Sequence, residues 1–125
     1  MEKTKMLKML ENSGFLVEEG LYYCAGSESI YREVLDSAAK EGEEKLPVLA
    51  KCMEEADYQR YQIEVHGIKN VAKTIGCVCL YEAALAQNDA AKEGKYEQVR
   101  KNHAAFMTVY EKEIALIRDA IAEPV

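Results

Sequence analysis

Two basic side chains one and two helical turns from a histidine form a constellation suited to holding a negatively charged group. In this chain it is His66, Lys69 and Lys73, inside His66-Gly67-Ile68-Lys69-Asn70-Val71-Ala72-Lys73-Thr74-Ile75-Gly76. The apolar residues Tyr61, Val65, Ile68, Ala72 and Ile75 recur at alternating spacings of four and three, the buried stripe of an amphipathic helix. At about 100° per residue, His66 lies roughly 135° round the helix from that stripe, so its imidazole projects outward. Gln59, Gln62, Ile63, Lys69, Asn70 and Lys73 share its face, and none is acidic although the chain carries a net charge of −6. A face with two lysines, two glutamines and an asparagine around one histidine, in a chain that is acidic elsewhere, suits a histidine that must carry negative charge.

The pattern His66, Ile68, Lys69, Ala72, Ile75, Gly76 resembles the signature of the histidine phosphotransfer (HPt) domain family of two-component phosphorelay signalling. That signature runs His, any residue, aliphatic, Lys, a small residue, then an Ala-rich turn and an Ile/Leu-Gly pair. Asn70 stands where the family most often has Gly. Ser27-Glu28-Ser29-Ile30-Tyr31-Arg32-Glu33-Val34-Leu35 is similar to the family's first core helix, and Ala90-Ala91-Lys92-Glu93-Gly94-Lys95 to the turn before its last one. The likeness spans roughly residues 15 to 120. It implies a carrier that takes a phosphoryl group on His66 and passes it to or from a receiver-domain aspartate. Lys69 then compensates charge, while Gln62, Ile63, Gly67, Asn70 and Lys73 form the docking face. The implied partners are a response-regulator receiver domain or a hybrid sensor histidine kinase. The Mg²⁺ belongs to the receiver, and this chain needs no cofactor of its own. No ATP-dependent kinase activity is implied, whether the chain stands alone or is a domain of a hybrid kinase.

The bland alternative for His66 is a surface histidine without a role, which the surrounding motif makes the weaker choice. His103 falls on an apolar stripe between Val99 and Phe106 and is expected to be a partly buried packing residue. Gly67 has an alternative as a tolerated helix glycine, Ile63 as an incidental surface residue, and Lys73 as a solvated lysine. The eight tyrosines are expected to pack. A helical interaction module that kept the fold but lost phosphotransfer is the competing function. A metal-binding helical bundle is disfavoured because neither histidine follows a Glu by three residues.

Composition sets the frame. The 125 residues suit one domain, 49% apolar and 30% charged, with 7 Gly, 2 Pro and no Trp, a soluble helical balance. Sixteen basic against 22 acidic side chains disfavour nucleic acid as a partner. No apolar run reaches membrane-span or signal-peptide length, so a cytoplasmic monomer without membrane contact is expected. Cys24, Cys52, Cys77 and Cys79 are expected to be reduced and buried, with no metal site, since no Cys-x-x-Cys or paired-His motif completes a ligand set.

Helical periodicity predicts an all-α fold: an antiparallel up-down-up-down four-helix bundle with an N-terminal helical cap, a single domain over 1–125. The cap covers 1–24, with short helices over 3–11 and 15–24, and the bundle covers 27–122. Ser27 should cap a first core helix running to about Glu55, with a kink or break between Gly42 and Pro47. Asp57 should cap the His66 helix, which Gly76 ends. A third core helix spans 77–93 with Gly94 as its stop signal, and the last runs from Tyr96 to Ile121.

Overall fold

A computed structural model describes residues 3–124; residues 1, 2 and 125, the ends of the expected domain, lie outside the described residues. The described chain is all helical, six helices packed together without a strand: α1 (Lys5–Asn12), α2 (Val17–Tyr23), α3 (Glu28–Glu54), α4 (Tyr58–Ile75), α5 (Val78–Lys92) and α6 (Tyr96–Ile121). No helix is long and apolar enough to cross a membrane.

Local chemistry sets the helix ends. Ser27 Oγ accepts the Ile30 backbone N–H at 3.2 Å, and Asp57 Oδ1 accepts that of Arg60 at 3.1 Å, so both side chains cap as expected. Gly76 closes α4 in the left-handed region at φ +77°, and a Cβ there would lie 2.4 Å from the Leu16 carbonyl oxygen. Only glycine allows both the turn and that approach. The Gly76 carbonyl in turn accepts the Leu16 N–H at 2.8 Å, docking the start of α2 against the end of α4.

Of the kink or break expected between Gly42 and Pro47, the break does not occur: α3 is helical through both. Pro47 is exposed, so the backbone group its ring leaves unpaired can turn to solvent. Gly42 is a packing device. A Cβ there would sit 2.6 Å from Ile114 Cδ1 and 3.1 Å from Tyr110 Cε1, so its bare backbone admits α6.

α3 packs on α4 and α6, α4 on α5, and α5 on α6; α1 lies against α6 and α2 against α4. The two-residue connection after α4 folds α5 back along it. Tyr31, Leu35, Leu49, Tyr61, Val65, Ile75 and Val99 are fully buried in the shared core. Burying side chains of this size stabilises by about 1.5–3 kcal/mol each before entropy is counted. Tyr31 donates its hydroxyl to the Ile75 carbonyl at 2.7 Å, satisfying a last-turn carbonyl of α4 from α3. Of the tyrosines expected to pack, Tyr96 stacks on Tyr58 with ring centroids 4.1 Å apart, whereas Tyr22 is 80% exposed and Tyr23 is also at the surface. The expected burial of the cysteines fails at Cys79, which is exposed while Cys24, Cys52 and Cys77 are buried free thiols.

Candidate functional site

The predicted site residues around His66 all stand on α4, and what fixes their face is the opposite one. Tyr61, Val65, Ile68, Ala72 and Ile75 are all buried, as the spacing predicts, and this locks the rotation of the helix. His66, Asn70 and Lys73 are then exposed, Ile63 is 66% exposed, and Gln62, Gly67 and Lys69 are half-buried. Helical side chains lean toward the N-terminus, so Lys69 and Asn70 cover the turn that carries His66. All seven predicted site residues thus lie on α4, and none of them is buried.

Charge follows the same partition. Glu64 is the only acidic residue in α4, and it is buried on the far side. Lys45 Nζ holds its carboxylate at 2.6 Å and Arg60 Nε lies 3.6 Å away. Among the described residues neither Lys69 nor Lys73 has a carboxylate within ion-pair distance. The His66 face thus keeps its positive charges unspent in an acidic chain.

Gly67 has no packing reason to be glycine: a Cβ built there meets nothing within 4 Å. Mid-helix glycine costs about 1 kcal/mol relative to alanine, and no packing contact offsets that cost at this position. Gln62 reaches across to α5, its Nε2 donating to Asn88 Oδ1 at 2.9 Å.

His103 is the half-buried packing residue expected. Its Nδ1 lies 2.9 Å from the Tyr61 hydroxyl, and burial, then the Arg100 guanidinium, hold its pKa below the ordinary value. Tyr61 is itself pushed up to about 12, mainly by burial. Gln87 donates both to the Tyr61 hydroxyl at 2.9 Å and to the Val99 carbonyl at 3.0 Å. Among the described residues no group of three or more His, Cys, Asp or Glu is arranged to hold a metal ion.

The spacing analysis missed four buried polar side chains: Glu64, Gln87, Asn88 and Glu113. Two were signalled by position. Gln87 stands on the stripe Leu80, Ala84, Gln87, Ala91, and Glu113 on the stripe Phe106, Tyr110, Glu113, Ile117. A search restricted to apolar residues passes over both.

Compared with known protein families, curated proteins and solved structures, the chain matches none.

Proposed function

We propose that this protein is a phosphohistidine carrier in a two-component phosphorelay, accepting a phosphoryl group on His66 and exchanging it with a receiver-domain aspartate. The observation that carries this reading is the His66 face itself. An exposed imidazole stands among unpaired lysines, with the one carboxylate of its helix buried on the far side.

The lone pair of a neutral imidazole nitrogen forms the P–N bond as the P–O bond to the donor carboxylate breaks, its electron pair leaving on the carboxylate. Such transfers depend on in-line positioning and charge stabilisation, and an exposed ring on a rigid helix offers the first. Lys69 offers the second on this chain's side, and Mg²⁺ comes with the receiver. Ile63, Gln62, Asn70 and Lys73 provide the docking face, and Gly67 keeps it low. The mutual packing of α3, α4, α5 and α6 supports their assignment as an antiparallel up-down-up-down four-helix bundle, one domain with α1 and α2 as its cap. The carrier works as a cytoplasmic monomer, bound transiently by a receiver or a hybrid sensor kinase and not by nucleic acid or membrane. It is an intermediate and not a turnover enzyme.

The competing function is an interaction module that has lost phosphotransfer. It is favoured by Asn70, which fills a position the family most often leaves to glycine. Incubation with phosphorylated receiver domains separates the two. The carrier acquires an acid-labile, base-stable phosphate from a receiver and none from ATP and Mg²⁺ alone; the module acquires none from any receiver.

A further inference from the structure

The outward face of α2 shows solvent two aromatic rings that the core does not use. Val17 and Gly20 are buried, whereas Glu18, Glu19, Tyr22 and Tyr23 are all exposed. Tyr22 and Tyr23 meet edge to face with ring centroids 5.6 Å apart, so each ring packs on the other at the surface. A groove of about 460 Å³ continues this face between the end of α1 and the start of α2, with Glu11, Glu18 and Glu19 on its walls and Leu16 exposed in it. The platform is held firmly from behind. A Cβ on Gly20 would lie 2.5 Å from the Tyr31 ring, and the Leu16 N–H is bonded to the Gly76 carbonyl. A surface already ordered loses little freedom when a partner binds.

Charge selects the occupant. Glu11 and Glu18 share one cation, Lys3 Nζ, at 2.6 and 3.4 Å, and Glu19 has no ion-pair partner among the described residues. The apolar surface is therefore set in uncompensated negative charge, which suits a cationic partner and repels anionic membranes and nucleic acid. A guanidinium matches both halves of the face, pairing with carboxylates and stacking on tyrosine rings. Glu18 and Glu19 also favour the positive end of α2, but that does not account for two bare tyrosines one turn later.

We infer that the outward face of α2 binds an arginine-bearing amphipathic segment of a partner protein. Its guanidinium groups pair with Glu18 and Glu19 and stack on Tyr22 and Tyr23, and its apolar side chains enter the groove at Leu16. The seven residues of α2 span roughly 10 Å, which matches about two turns of a partner helix. This partner is additional to the receiver proposed for the His66 face, and its binding does not depend on phosphotransfer.

The test titrates the full chain into a labelled amphipathic helical peptide with one leucine face and one arginine face, followed by fluorescence anisotropy. The native chain should bind it, and bind a leucine/glutamine analogue about tenfold more weakly. A leucine/lysine analogue should also bind more weakly, since lysine makes the charge contact without the planar stacking. Glu18→Gln with Glu19→Gln should weaken binding of the arginine peptide by about threefold or more, and so should Tyr22→Ser. These positions are exposed, so the variants keep the fold, which circular dichroism checks. Glu82→Gln with Glu111→Gln removes the same charge from exposed positions on α5 and α6 and should leave the affinity within about twofold. No binding of the arginine peptide to the native chain overturns the inference. So does equal binding of the glutamine analogue, equal weakening by the α5 and α6 pair, or native affinity in Tyr22→Ser.

Discussion

The Tyr61 hydroxyl lies 2.9 Å from Nδ1 of His103, and a third residue favours one direction for that hydrogen bond. Gln87 spends one N–H on the Val99 carbonyl, which can only accept, and the other on the Tyr61 oxygen. Donation to His103 gives the buried Tyr61 proton a partner, which favours Nδ1 as the acceptor and the ring proton on Nε2. One of the two histidines thus has its hydrogen bonding committed to joining α4, α5 and α6, while the other stands exposed.

Tyr61→Phe leaves a Gln87 N–H and the His103 Nδ1 without partners in a largely buried site. Stability should fall by about 1–3 kcal/mol in urea titrations, with phosphoryl acceptance by the folded protein retained. The pH dependence follows from the lowered pKa of His103. Above the ordinary histidine value of about 6.5 the ring is neutral in both folded and unfolded chains, and its contribution is complete. As pH falls through that value the unfolded chain protonates first, so stability declines. The difference between native and His103→Gln proteins, measured from pH 5 to 8, should isolate this slope.

Glu113 contributes with the opposite sign. Burial raises its pKa, the Cys77 thiol and Lys112 offset this in part, and Oε2 has no partner. The folded chain holds this proton more tightly than the unfolded chain, so the contribution is present below the ordinary carboxyl range and lost as pH rises through the folded value. Glu113→Gln should raise stability near pH 8 by roughly 1 kcal/mol and give no gain at pH 4. Paired thermal melts at the two pH values check both.

Gly42→Ala tests the close approach of α3 and α6. Overpacking costs about 1–3 kcal/mol, against about 1 kcal/mol gained from helix propensity, so a net loss of about 1 kcal/mol is expected. In an Ile114→Ala background, which removes both the Cδ1 at 2.6 Å and the Cγ1 at 2.9 Å that an added methyl would meet, the loss should shrink by half or more. Equal losses in both backgrounds would mean that Ile114 does not limit this site.

This glycine also shows where sequence reasoning stops. Gly42 and Pro47 carry opposite lessons about one helix, and nothing local distinguishes a glycine that ends a helix from one that admits a neighbour; only the position of Ile114 does. Where a residue acts on its own backbone, sequence was sufficient: Ser27 and Asp57 cap, Gly76 turns, and the α4 stripe is buried. The His66 face was legible for the same reason, since it lies on one helix. Contacts between helices were not. The Gln62 to Asn88 bond and the Tyr61, His103 and Gln87 network join residues far apart in the chain, and the exposure of Tyr22 depends on what α2 leaves uncovered.

Asn70→Arg adds volume and charge one turn beyond His66 on an exposed position. A receiver must bring its aspartate within near-attack distance, so transfer should slow by about tenfold or more. The thermal stability should change by no more than about 0.5 kcal/mol. Asn70→Gly should transfer as fast as the native chain or faster. Native rates in folded Asn70→Arg would place the docking face elsewhere.

The most direct measurement of the central claim compares His66→Gln with His103→Gln in phosphoryl acceptance from a receiver domain that phosphorylates the native chain. The account predicts no acid-labile phosphate on His66→Gln, with its fold intact by circular dichroism, and labelling of His103→Gln at near-native extent. Labelling of the His66 variant, or its loss only in the His103 variant, would contradict it.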